Sequence, residues 1–241
     1  MSRAAAARQR TAGMNPHDLI DTTEMYLRTV FQLEEEGVIP LRARIAENLG
    51  QSVPTVSETT ARMERDQLIT FDVSRRIRLT PRGRLLAVRV MRKHRLAECL
   101  LADVLGLEWQ LVHDEACRWE HVISEAAERR LLDLLGNPVH SPYGNPIPGL
   151  AELGGKDSDD SAAQLVALTG LPETVAKVVI ARIGESLQSD PVLLGRLDRA
   201  GIRPGARVSV TWSGDRLELG AGDDRVELDR PAAACLFVTR L

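Results

Sequence analysis

Residues 41–80 read LRARIAENLGQSVPTVSETTARMERDQLITFDVSRRIRLT. Leu41–Leu49 has the pattern of a short helix closed by Gly50, and the turn Gln51-Ser52-Val53-Pro54 leads into a second helix over Thr55–Arg65. Pro54 is tolerated in a first helical turn, with Ser52 available as cap. Two short helices across a tight turn make a helix-turn-helix. Leu68–Phe71 and Arg76–Thr80 then read as strands flanking the turn 72–75, which is the wing of a winged helix. A recognition helix offers its N-terminal residues to base edges while neighbouring groups hold phosphates. Ser52, Pro54, Thr55, Ser57 and Glu58 occupy the reading position. Arg42, Arg44, Arg62, Arg65, Arg75 and Arg76 are placed for phosphates, and Thr22 is counted with the DNA-contacting set. Winged helices also serve as protein-interaction modules. Between Arg62 and Arg95, however, eleven Lys or Arg stand against three acids, Glu64, Asp66 and Asp72, a balance that suits a polyanion.

Upstream, Leu19, Met25, Leu27, Val30, Phe31 and Leu33 form the stripe of a helix over Asp18–Leu33. Residues 1–14 carry three arginines and no apolar core, the composition of a disordered basic tail rather than a signal peptide. Downstream, Thr80-Pro81-Arg82-Gly83 caps a long helix predicted from Arg84 to Leu105. A further helix is predicted over Glu108–Leu135, followed by a proline-rich loop, Val139–Leu150. The stretch GGKDSDDSA, 154–162, is small, charged and aperiodic, as linkers are. Beyond it, Thr174–Ile183, Arg207–Trp212, Arg216–Gly220, Arg225–Leu228 and Cys235–Thr239 are short β-rich runs that suggest a small barrel, with a helix over Asp190–Ala200. The expected fold is mainly α with a small β component. The expected domains are a winged helix-turn-helix at 15–88, a helical domain at 89–153 and a barrel at 163–241.

The chain of 241 residues, 44% hydrophobic and 27% charged, can bury a real core. Its longest apolar runs fall far short of the roughly 20 residues that cross a bilayer, so no membrane partner is expected. Three cysteines without close pairing indicate a reducing compartment, and hence the cytoplasm. HExxH, GxSxG and Walker motifs are absent, so neither an enzyme nor a small-molecule substrate is expected.

His94 and Glu98 stand at i and i+4 in the long helix. In the next predicted helix His113, Cys117, Glu120 and His121 stand at i, i+4, i+7 and i+8. Each group shares a helix face, and two such stripes on antiparallel helices converge. Imidazole, carboxylate and thiolate together favour Fe(II), Co(II), Ni(II) or Zn(II) over Mg(II) or Ca(II). A lone His with a Glu one turn away is commonly a surface pair, and a lone Cys a core residue. Six in-phase residues within 28 positions outweigh that reading. His94, Glu98 and His113 also resemble the two-histidine, one-carboxylate set of non-haem iron enzymes, but no base or substrate pocket accompanies them.

The runs DTTEMYLRTVFQLEEEGVIPLRARIAENL from Asp21, QSVPTVSETTARMERDQL from Gln51, VMRKHRLAECLL from Val90, HDEACRWEHV from His113 and SPYGNPIPGL from Ser141 resemble the iron-dependent repressors related to the diphtheria toxin repressor. The likeness is dense over residues 18–153 and weaker beyond. It implies two metal sites per subunit. The ancillary site would comprise His94, Glu98, His113, Glu185 and Gln188, and the primary, activating site Met25, Cys117, Glu120 and His121. It also implies an anion held by Arg95, Ser141 and Asn145, and a barrel of the Src-homology-3 type. The function implied is a dimeric repressor that binds a palindromic double-stranded operator when Fe(II) is sufficient. Co(II), Ni(II), Zn(II) and Mn(II) would be possible substitutes, and a regulator of Mn(II) or Zn(II) is the alternative. Two positions depart from the family pattern. Val53 stands where glycine is usual, and Glu58, which can only accept hydrogen bonds, stands where glutamine is usual. Loss of that glycine would disturb the turn if the position requires positive φ.

Overall fold

The computed structural model of the chain describes residues 16–158, 165–214 and 216–240. The predicted basic tail of residues 1–14, and residues 159–162 of the predicted linker, lie outside the described residues. Contacts divide the chain into two compact units, the division falling between Val90 and Met91.

The first unit begins with α1, Pro16–Glu35, which buries Tyr26, Leu27, Val30, Phe31 and Leu33 along its helical stripe. Helices α2, Arg42–Asn48, and α3, Val53–Arg65, follow. From α3 the side chains Val56, Thr60 and Met63 point inward at i, i+4 and i+7. Each apolar side chain so buried contributes about 1.5–3 kcal/mol before entropy is counted. Helix α3 starts two residues earlier than its sequence pattern indicates, because the Ser52 hydroxyl accepts from Thr55 N–H at 3.3 Å and Pro54 fits the first turn. Val53 therefore has helical backbone and is not among the positive-φ residues, so the valine costs this turn nothing in strain.

Strands β1, Ile69–Phe71, and β2, Ile77–Leu79, pair antiparallel with Phe71 opposite Ile77. Their turn is held by Asp72, whose Oδ1 accepts from the Ser74 and Arg76 N–H groups at 2.9 and 3.0 Å and stabilises Arg75 at φ 59°. Thr80 then caps α4, Pro81–Cys99, by accepting from Gly83 N–H at 3.0 Å. A Cβ at Gly83 would stand 1.9 Å from the Leu68 carbonyl oxygen, so glycine is what lets helix and wing approach.

In the second unit the end of α4 passes into one wide turn, Leu100–Val104, in which Leu105 N–H bonds the Leu100 carbonyl, ahead of Gly106 at φ 65°. The predicted helix over 108–135 is two helices, α5, Trp109–Trp119, and α6, Glu125–Leu134. Ser124 starts the second one by accepting from Ala127 N–H, with Glu125 and Glu128 favourably placed in its first turn. Glu120 and His121 consequently lie in a turn and not on a continuous helical face. A short turn at Leu150–Leu153 closes the helical part, and Asp157 caps it by accepting from Leu150 N–H at 2.7 Å.

The rest is a six-stranded antiparallel sheet in the order β3-β8-β4-β5-β6-β7. The strands are β3, Val166–Ala167; β4, Lys177–Ile183; β5, Arg207–Ser213; β6, Arg216–Ala221; β7, Asp224–Asp229; and β8, Leu236–Arg240. Between β4 and β5 lie the short α7, Glu185–Gln188, and α8, Pro191–Arg199. Helix α9, Arg230–Ala234, precedes β8. The register of β4 against β8 shifts between Ile180 and Arg182. Alternate residues of the sheet, among them Val178, Ile180, Val208, Val210, Leu217 and Leu219, enter one core with Ala97, Trp109, Val112 and Ala116 of the helices.

Candidate metal centre and nucleic-acid interface

Helix α4 carries His94, Arg95 and Glu98, and α5 carries His113 and Cys117. Apart from Cys117, which is half-buried, all of these are buried. His94 Nε2 lies 2.9 Å from Glu98 Oε1 and 3.2 Å from His113 Nδ1. His113 Nε2 lies 3.7 Å from Cys117 Sγ and 3.4 Å from the Ser189 hydroxyl. Ligand atoms of His94, His113 and Cys117 all fall within 4.8 Å of one another. Residues of the two implied sets touch one another. Glu120, implied for one, accepts from His94 Nδ1 of the other at 2.7 Å, while its second oxygen lies 3.3 Å from His121 Nε2.

Electrostatics follow from this crowding. Burial by itself drives the His94 imidazole toward its neutral form. The Glu98 charge, with bonds to Cys117, Glu120 and Glu98, reverses that and holds its pKa well above the ordinary 6.5. Burial likewise opposes charge on His113, but the neighbouring Cys117 sulfur and the bond to Glu98 raise it to about 9. Burial works against the Glu98 carboxylate too, yet the His94 charge and the bonds from both histidines hold it well below the usual carboxylate range.

Glu185 and Gln188 are brought by α7, and both are buried. Arg95 donates to Glu185 Oε1 through Nε at 3.1 Å and Nη2 at 2.9 Å, and to the Pro146 carbonyl. Gln188 Nε2 and Asn145 Nδ2 both donate to the Ile183 carbonyl, at 2.7 and 2.8 Å. Asn145 and Ser141 belong to the loop that also ties the Tyr143 hydroxyl to the Trp109 carbonyl at 2.6 Å. In this loop Gly144, at φ 80°, presses against the Ala181 carbonyl, where a Cβ would stand 2.2 Å away. Among the described residues, Glu98 Oε2 and Gln188 Oε1 are buried acceptors without a hydrogen-bond partner. An orphaned carboxylate oxygen on Glu98, which bonds both imidazoles, suits a divalent cation, which would satisfy an acceptor no proton donor reaches. Met25 belongs to the first unit, half-buried on α1, where its carbonyl accepts from the Thr29 hydroxyl at 2.9 Å.

Two features escaped the sequence pattern. Ser189, beside Gln188, reaches His113. Arg92 is buried and donates to Glu128 Oε2 at 2.5 Å, Glu152 Oε2 at 2.9 Å and the Gly149 carbonyl at 2.8 Å. Helical spacing from His94 says nothing about either, because both contacts are made across the fold. Arg92 and Arg95 also correct the charge reading, since two of the eleven basic residues counted between 62 and 95 are internal and paired.

In the first unit α3 presents Pro54, Thr55, Glu58 and Arg65 to solvent, with Ser57 and Arg62 half-buried. Arg42 donates to the Thr60 hydroxyl at 3.1 Å and stacks on Phe71 at 4.2 Å, so its role is partly structural. Arg44 pairs with Glu47 at 3.1 Å, and Arg75 stands exposed at the wing tip. Thr22 is half-buried near the start of the described α1 side chains.

A winged helix, together with buried nitrogen, oxygen and sulfur donors, defines the class: metal-dependent DNA-binding regulators. The profile of the iron dependent repressor N-terminal DNA binding domain matches residues 18–75, and that of the iron dependent repressor metal binding and dimerisation domain matches residues 80–149. A FeoA domain profile matches residues 167–240. The chain is 53% identical to the iron-dependent repressor IdeR of Mycobacterium leprae over 229 residues, covering 93% of this chain and all of the relative. It is 59% identical to IdeR of Mycobacterium tuberculosis over 196 residues, 80% of this chain and 85% of the relative. A solved structure described as a manganese-dependent transcriptional repressor complex with manganese superposes with a TM-score of 0.75 at 28% identity, covering 91% of this chain and all of that one. The chain belongs to the iron-dependent repressor family.

Proposed function

We infer that the protein is an iron-dependent, DNA-binding transcriptional repressor, working in the cytoplasm as a homodimer on a palindromic operator, with no catalytic role. The observation that carries this is one chain holding both an α3 with an outward reading face and a buried cluster in which His94, His113 and Cys117 offer ligand atoms within 4.8 Å. We assign His94, Glu98, His113, Glu185 and Gln188 to an ancillary site and Met25, Cys117, Glu120 and His121 to a primary one. Arg95, Ser141 and Asn145 are assigned to an anion. The orphaned oxygens of Glu98 and Gln188 support the ancillary set. A bound divalent cation supplies charge that gathers ligands from separate elements and so favours one arrangement of them. Sulfur at Cys117 supports Fe(II) over Mn(II), while the likeness to a manganese-bound repressor supports a protein that accepts several divalent ions in vitro. We keep 15–88, 89–153 and 163–241 as its domains.

For dimerisation we propose the face formed by the wide turn and α5. Val104, Leu105 and Leu111 are exposed there at 52, 58 and 44%, and Leu105 and Leu111 line a groove of about 510 Å³ with Leu101, Leu107 and Trp119. The match of residues 80–149 to a dimerisation domain supports that choice.

The test selects DNA from a random pool with purified protein, first in chelator and then with Fe(II) under anaerobic conditions. A palindromic sequence should be enriched only with metal. The double substitution Cys117→Ala, His121→Ala should abolish stimulation while leaving the fold and the dimer. Equal binding in both conditions would overturn the metal-switch reading, and stimulation retained by the double variant would overturn the assigned primary site.

A further inference from the structure

The geometry points to Glu58 as the residue that sets operator specificity, by selecting cytosine at one position of each half-site. The inference rests on the DNA-binding reading and adds the base that is read. In the first two turns of α3 the polar side chains facing outward are few. Ser52 is occupied as the helix cap, and its hydroxyl shares a 2.8 Å hydrogen bond with that of Thr55. Val53 and Pro54 are exposed but have no side-chain donor or acceptor. Glu58 is exposed one turn further on. Among the described residues it makes no side-chain hydrogen bond or ion pair, although Arg62 follows at i+4. Val56, Thr60 and Met63 bury the opposite face, which fixes the rotation of the helix and turns Glu58 outward with Thr55 and Arg65. Side chains on a helix lean toward its N-terminus, so the carboxylate is carried toward the end of α3 that enters the groove.

A carboxylate there can only accept, and it is repelled by phosphates on either side of the groove. It is tolerated only where the base edge offers a donor. In the major groove guanine shows two acceptors, and thymine an acceptor and a methyl group. Adenine shows its N6 donor beside the N7 acceptor, whose lone pair faces the carboxylate. Cytosine alone presents the N4 donor without a neighbouring acceptor of its own. The acidic residue on an otherwise uncharged reading face therefore acts by rejecting three bases as much as by binding the fourth.

The test is the same random-pool selection with metal-loaded full-length protein, comparing wild type, Glu58→Gln and Glu58→Ala. The wild type should hold cytosine at one position per half-site, by about tenfold or more over the other bases. E58Q should move that single preference to adenine, since an amide donates and accepts, and E58A should erase it, with all other positions unchanged. Glu58 is exposed, so the variants should melt with the wild type. Identical motifs from all three proteins would overturn the assignment. Failure of the wild type to enrich any sequence would instead overturn the DNA-binding reading beneath it.

Discussion

His94 has a carboxylate at each ring nitrogen, Glu98 on one side and Glu120 on the other, and this explains why an interior histidine stays protonated. Removing either acid would leave a buried cation with half its compensation. A metal ion taking His94 or His113 must displace a proton, so loading and titration are linked. At neutral pH, Co(II) added to chelator-treated protein should release protons, and the release should fade as pH rises through about 9, where His113 loses its own. The sign for stability follows from the same shift. With the His113 pKa raised from 6.5 to about 9 by folding, its stabilisation of the metal-free protein is fully present below 6.5 and is lost as pH rises through 9. Urea unfolding in chelator should therefore show stability declining across that window. A flat profile would remove the protonated pair from the account.

Among the elements, α4 does the most joining. One of its side chains, Arg92, holds α6 through Glu128 and the Leu150–Leu153 turn through Glu152 and the Gly149 carbonyl, all in an interior where the arginine is 1% exposed. A single truncation leaves Glu128 buried and uncompensated. Arg92→Ala should cost about 3–5 kcal/mol, and the paired apolar replacement Arg92→Met with Glu128→Leu should recover a large part of it. Denaturant unfolding of the three proteins measures both. Equal loss in the single and double variants would mean that shape, and not charge, holds these helices. The break between α5 and α6 belongs at this scale too, because it places Glu120 in the turn from which it reaches His94.

For the whole molecule, the net charge of −3 conceals a basic stretch between Arg62 and Arg89, and binding to DNA should be strongly salt-dependent. Arg65 and Arg75 are exposed, whereas Arg92 and Arg95 are internal. Arg65→Ala and Arg75→Ala should each weaken binding about uniformly across sequences and reduce the slope of log affinity against log salt by about 1. Fluorescence anisotropy over a salt series reads this directly. An unchanged slope would take those arginines off the phosphates.

The sequence by itself determined the winged helix and the inventory of donors. Both are local matters: Ser52 and Pro54 start a helix wherever they stand, Asp72 makes its turn from its own neighbours, and i to i+4 spacing puts His94 with Glu98 and His113 with Cys117 on shared faces. The function was legible through the resemblance those runs carry. What only the tertiary structure decided depends on residues distant in the chain. It brought Glu120 onto His94, Ser189 onto His113 and Asn145 onto Ile183. It also moved Arg92 and Arg95 from a presumed basic surface to the interior, where folding supplies Glu128, Glu152 and Glu185 to offset the cost of burying the two guanidiniums.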